Sequence, residues 1–291
     1  MPKLEGMSKS ATSKPICIYG PSLSGKTTLA CALAKGMKVI LFDGENGSSV
    51  LFDLPAAWHK NIFVQRIRDN KDTPSMIITM GLVLSGAKTI VCDKHGIVMN
   101  AKPTVTPCLE CLKAHNAAVK EAEAAGKPTN DLGILNQWEL NALDDDHVVV
   151  MDSFTQLTSS SNAQVTRGLK GEFEFEEFKH HRAQGKLLEK CLDYIQAASY
   201  NCIVIAHEEG IKQVDGTEKI IPAGGTTNFG RKVARYFGGG SIYCGTKNKK
   251  HIILANTTDD TRILAGIRGG ATIDPTTLDS RADGMLALFG R

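Results

Sequence analysis

Within "ICIYGPSLSGKTTLACALAKG", residues 16 to 36, Gly20 and Gly25-Lys26-Thr27 stand at the spacing Gly-x-x-x-x-Gly-Lys-Thr, between a run suited to a strand and a run suited to a helix. Glycines at these places let the backbone curl so that successive N–H groups point inward at phosphate oxygens. The helix that follows aims the positive end of its dipole the same way. Gly20, Pro21, Ser22, Leu23, Ser24, Gly25, Lys26, Thr27 and Thr28 therefore read as the phosphate cradle of a nucleotide site. The Lys26 ammonium would reach the β- and γ-phosphates, and the Thr27 hydroxyl would ligate Mg²⁺. ATP and Mg²⁺ are the implied ligands.

Two further apolar runs end on carboxylates. In "DDDHVVVMDSFTQLT", residues 144 to 158, Val148 to Met151 form a continuous apolar strand of the kind a parallel sheet covered on both faces demands, and Asp152 follows as the candidate Walker B acid for the metal. In "KVILFDGENGSS", residues 38 to 49, the run stops on Asp43 and Glu45 beside Gly and Asn, which taken alone is ordinary turn chemistry. A strand "CIVIAHEE" places His207 at a similar end, either as a polar sensor of phosphate or as a satisfied structural histidine.

To bring these groups together, strands must alternate with helices so that every strand end opens on one edge. Runs at 62 to 67, 202 to 209, 241 to 246 and 251 to 257 read as the remaining strands, and 174 to 199 as a long helix with Phe175, Phe178, Leu187, Leu188, Leu192 and Ile195 on an apolar face. The expected fold class is α/β, a P-loop domain with a mainly parallel central sheet flanked by helices. At 291 residues, 42% hydrophobic and 22% charged, the chain can bury a full core. It shows no membrane-spanning run, and residues 1–14 read as a loose polar tail, not a secretory signal, which points to a cytoplasmic address. Cys17, Cys31, Cys191 and Cys202 sit in apolar segments as small core residues would.

On Gly20 to Thr28, Asp43-Gly44-Glu45, Val149 to Ser153 and His207, the chain resembles the RecA-like ATPases, and within them the phage-encoded proteins of the Sak single-strand annealing group. The resemblance covers roughly residues 15 to 87 and 131 to 270. It implies catalytic roles for Glu45, which would polarise the attacking water, and for Lys26, Asp152 and His207. It further implies single-stranded DNA as partner, a homo-oligomeric ring or filament, and a host-cell cytoplasmic location.

From Lys219 to Thr258 there are seven Lys and Arg residues and no acid: Lys219, Arg231, Lys232, Arg235, Lys247, Lys249 and Lys250, with Phe229, Tyr236 and Phe237 interleaved. Cations can follow a phosphate backbone while aromatics stack on unpaired bases, although such a run is also an ordinary solvated face. The resemblance makes this the second DNA-binding loop and residues 158 to 171 the first. It also makes Arg262 or Arg268 a cation acting on a neighbouring subunit's γ-phosphate.

Cys92-x-x-His95 and Cys108-x-x-Cys111 offer three thiolates and an imidazole, a set that suits structural Zn²⁺, with His115 as rival fourth ligand. The expected layout is a tail at 1–14, an ATPase core at 15–270 interrupted by a zinc-ribbon-like insertion at 88–130, and a C-terminal tail at 271–291. The expected function is an ATPase acting on single-stranded DNA in recombination, annealing or replication. The alternative is an oligomeric switch or motor, clock-like, helicase-like or packaging-like, that remodels protein partners. A small-molecule kinase fits poorly with Glu45 and with the lack of an Arg-rich lid.

Overall fold

The computed structural model describes residues 15–69, 74–84, 89–92, 96–99, 109–129, 137–139, 143–166, 178–198, 200–213, 215–225, 227–247, 250–256, 262–267 and 272–291. In chain order the first elements are β1 (Ile16–Gly20), α1 (Lys26–Cys31), β2 (Lys38–Asp43), α2 (Ala56–His59), β3 (Ile62–Arg66), α3 (Ser75–Leu84), β4 (Thr89–Cys92), β5 (Gly96–Met99) and α4 (Leu109–Ala124). There follow β6 (Gln137–Glu139), β7 (His147–Asp152), α5 (Phe154–Thr166), α6 (Phe178–Ala197), β8 (Asn201–Lys212) and β9 (Glu218–Pro222). The chain closes with α7 (Thr227–Val233), β10 (Gly240–Lys247), β11 (Lys250–Leu254), β12 (Gly266–Ile267) and α8 (Leu278–Leu288).

The main sheet runs β11-β10-β1-β8-β7-β2-β3, with β12 on β10 and β9 on β8. From β10 to β3 every pairing is parallel, while β11, β12 and β9 are antiparallel additions. Strand alternation sends side chains to two cores. Ile16, Ile18, Val39, Leu41, Val148, Val150, Ile203 and Ile205 pack beneath α1 and α8, whereas Cys17, Tyr19, Ile40, Phe42, Val149, Met151, Cys202 and Val204 pack beneath α3, α5, α6 and α7. With both faces covered, the central strands are apolar throughout, which is why β7 reads as a run and not as an alternation.

Close approach decides one glycine. Gly20 has φ 149°, and a Cβ there would lie 1.8 Å from the Cys244 carbonyl oxygen of β10, so no side chain fits between the P-loop strand and its neighbour.

Several expectations shift. Of the expected long helix, Phe178–Ala197 is described as α6 and 174–177 lie outside the described residues; Phe178 is exposed, and the buried stripe is Gln184, Leu188, Cys191, Leu192 and Ile195. The expected C-terminal tail is packed where it is described, from 272 onward, because α8 buries Ala282, Met285 and Leu286 in the core shared with α1. The inserted unit has a three-stranded antiparallel sheet, β5-β4-β6, whose third strand at Gln137–Glu139 lies beyond the expected limit of residue 130. No helix among the described residues is long and apolar enough to cross a membrane.

Candidate nucleotide site

The parallel register brings the expected groups to one edge. Asp43 at the end of β2 lies opposite Asp152 at the end of β7, and Gly20 at the end of β1 lies opposite His207 on β8. Because β8 stands between β1 and β7, His207 is set between the P-loop and the Walker B strand.

In the P-loop, Gly25 takes φ 84° and opens α1. Lys26 is buried and donates from Nζ to the Gly20 and Pro21 carbonyl oxygens at 3.1 and 2.6 Å. Burial holds its ammonium below the ordinary lysine range, while the fields of Asp152, Glu45 and Glu208 pull the other way. Ser24 Oγ is buried with no hydrogen-bond partner among the described residues, a penalty that a phosphate oxygen at the cradle would relieve. The Thr27 hydroxyl donates to Asp152 Oδ2 at 2.6 Å, so the two hard oxygen ligands expected for Mg²⁺ adjoin. The residues present fit MgATP.

Asp152 is 3% exposed, and burial pushes its carboxyl up to about 6. The Thr27 hydrogen bond opposes this, and the Glu45 and Asp43 charges add to it. A cation would reverse the effect, since it favours the ionised form. Asp43, equally buried, spends its oxygens on the backbone: Oδ1 accepts the Gly47 N–H and Oδ2 the Ser48 N–H, each at 3.0 Å. It folds the loop that carries Glu45.

Glu45 accepts from the Ser153 hydroxyl at Oε1, and His207 Nε2 lies 3.1 Å from both of its oxygens. His207 Nδ1 is 3.3 Å from Ser22 Oγ of the P-loop, and its backbone N–H donates to Thr155 Oγ1 at 3.0 Å. Ser153 and Thr155, at the start of α5, were not singled out from sequence. The signal was a Ser immediately before a helix, a usual N-cap.

The expected DNA surface changes character. Phe229 is 6% exposed and stacks on Phe154 with ring centroids 6.2 Å apart, and Tyr236 and Phe237 are buried in the same core. These aromatics are held by the apolar face of α7 and the turn after it, so they do not offer a stacking platform for bases. Arg235 lies 4.9 Å over the Tyr236 ring and donates to Tyr236 Oη at 2.8 Å, and Lys219 and Lys232 are exposed. The side chains of Arg231, Lys247, Lys249 and Lys250 lie outside the described residues. Of the expected first loop, Thr158 to Thr166 is helical within α5, and 167–171 lies outside the described residues. Arg262 is exposed and its carbonyl accepts the Ile220 N–H at 2.8 Å; Arg268 lies outside the described residues.

Of the expected zinc ligands, His95, Cys108 and the Cys92 side chain lie outside the described residues. Cys92 ends β4 opposite Gly96 of the hairpin, while Cys111 and His115 occupy the early turns of α4. Among the described residues no group of three or more His, Cys, Asp or Glu could hold a metal ion.

The sequence model of the AAA domain family matches residues 12–234. No curated protein matches. Among solved structures, a prototypical ATPase from the type III secretion system of pathogenic bacteria is 18% identical over 80% of this chain and 51% of that one, with a TM-score of 0.38. The assembled ATPase EscN from the type III secretion system of enteropathogenic E. coli is 16% identical over 80% of this chain and 43% of that one, with a TM-score of 0.36. EscN with its central stalk EscO gives 18%, 80%, 42% and 0.33. The chain spans about half the length of the first of these structures or less. The family match covers most of the chain and includes the P-loop, Glu45, Asp152 and His207, so the chain belongs to the AAA domain family of P-loop ATPases.

Proposed function

We propose that the chain binds MgATP at Gly20 to Thr28 and hydrolyses it with Glu45 as the water-polarising base. The observation that carries this is the convergence of Lys26, the Thr27–Asp152 pair and the Glu45–His207 pair on one sheet edge. Mg²⁺ would neutralise charge developing on the phosphates, held by Thr27 and Asp152. Glu45 takes a proton from the water as its oxygen bonds to the γ-phosphorus and the β–γ bridging P–O bond breaks, ADP leaving with the electron pair. Lys26 offsets charge on the phosphoryl oxygens, and His207 joins the base to the P-loop through Ser22.

The proposed setting is single-stranded DNA recombination, annealing or replication by a protein akin to the phage Sak group, assembled as a homo-oligomer with Arg262 or Arg268 acting in trans. The acid-free run from Lys219 to Thr258 supports it. A second reading, an oligomeric switch or motor working on protein partners, gains from the burial of Phe229, Tyr236 and Phe237, which removes the expected stacking surface. Zn²⁺ held by Cys92, Cys108, Cys111 and either His95 or His115 would staple the inserted unit.

Steady-state ATP hydrolysis with and without single-stranded DNA is the test. Turnover that falls by a factor on the order of 10² to 10⁴ in Glu45→Gln, with nucleotide still bound, is the expected loss of an acid–base group. Stimulation by single-stranded DNA supports the first setting. A parent rate that DNA leaves unchanged moves the protein to the second.

A further inference from the structure

Ser153 follows Asp152 and is the N-cap of α5. Its Oγ accepts the Gln156 N–H at 3.1 Å, and its hydroxyl proton goes to Glu45 Oε1. A serine hydroxyl has one proton and two lone pairs. The helix amide holds the oxygen, so the direction of the remaining proton is indexed to α5, and the carboxylate follows it. On the other side His207 Nε2 is shared by both Glu45 oxygens at 3.1 Å. A carboxylate only accepts, so the ring nitrogen Nε2 beside it carries a proton, while Nδ1 lies 3.3 Å from Ser22 Oγ. Oε1 thus receives two donors and Oε2 one. Of the roughly four lone-pair sites on the carboxylate, the open one is on Oε2.

We propose that Ser153 is a positioning residue that presents Glu45 Oε2, not Oε1, to the attacking water. The inference rests on the reading of Glu45 as the base. Ser153 is 1% exposed, so it acts through the carboxylate and does not itself touch the nucleotide. Without the Ser153 proton, Glu45 turns about its terminal torsion under His207 alone. The time it spends with Oε2 on the water falls, while the phosphate cradle is untouched.

The test is a double-mutant cycle between Ser153→Ala and Glu45→Gln, read as kcat and KM for ATP, with nucleotide affinity and the thermal unfolding midpoint of each variant. Ser153→Ala is expected to lower kcat on the order of tenfold to a hundredfold, the worth of one hydrogen bond to a charged group, with KM and nucleotide affinity unchanged. In the Glu45→Gln background the same substitution should lower kcat no further, because the group it aims is already gone. A structural cap alone would shift the unfolding midpoint equally in both backgrounds and reduce rates additively, and that result overturns the proposal. Parent turnover in Ser153→Ala with Glu45→Gln inactive overturns Ser153 alone. Parent turnover in Glu45→Gln removes the base assignment, and the positioning role falls with it.

Discussion

Asp43 and Asp152 end adjacent strands in register, and both are buried, yet their surroundings assign them different work. Asp43 has two backbone N–H donors and shapes the Glu45 loop; Asp152 has one hydroxyl donor and two carboxylates nearby. A carboxyl raised from 3.8 to about 6 on folding contributes stability that is full below its ordinary value and lost as pH rises through the folded one. The nucleotide-free protein should therefore lose stability between about pH 4 and 6. Removing the charge with Asp152→Asn should stabilise that form at pH 7.5 by an amount on the order of 1 to 3 kcal/mol. Denaturant unfolding at pH 4 and pH 7.5 reads it. The same variant should lose the added stability that MgATP confers on the parent. Equal stability of parent and variant at pH 7.5 would show that Asp152 carries no such penalty.

At the scale of elements, α7 is the case where composition misleads. Gly-rich, cationic and aromatic, "PAGGTTNFGRKVARYFGGG" has the makeup of a nucleic-acid loop, yet Phe229 and Val233, four apart, place one helical face against the sheet. Phe229→Ala should cost about 3 to 5 kcal/mol of folding stability, as for other buried Phe truncations. Its single-stranded DNA affinity, measured below the melting transition, should match the parent. A variant of parent stability that has lost DNA affinity would restore the stacking role. Termination of α1 follows local rules more closely: the helix tightens into a 3-10 turn over Ala32–Lys35 and stops at Gly36, where a Cβ would sit 3.2 Å from Leu286 of α8.

At the scale of the whole molecule, a unit with its own antiparallel sheet is inserted into the ATPase core. The strands of the inserted unit are only three or four residues long, so a structural metal would contribute much of its stability. Elemental analysis of purified protein should find about one zinc per chain, the stoichiometry of a closed four-ligand site. Cys108→Ser should lose it, and nucleotide affinity at Lys26 should persist. Metal-free protein with full protease resistance across residues 88–139 would remove the zinc site. Loss of zinc in His115→Ala with retention in His95→Ala would assign the fourth ligand to His115.

The P-loop, Asp152 and the α/β class were legible in the sequence because each depends on short-range physics. Glycine spacing, a hydroxyl after a lysine and an uninterrupted apolar run all act within a few residues. Glu45 was legible as a group just past a strand end, and His207 was expected at one although β8 runs on to Lys212; nothing in the chain order says that residues 162 positions apart share a hydrogen bond, and the insertion of β8 between β1 and β7 decides that. Ser153 illustrates the same division. Its place before a helix marks a cap, and only the register of β7 against β2 turns its proton toward Glu45. Phe229 marks the opposite limit, since its type suits both a stacking surface and a core. Burial is a property of what packs against a residue, here Phe154 from a helix 63 or more residues earlier in the chain, and tertiary structure alone supplies it.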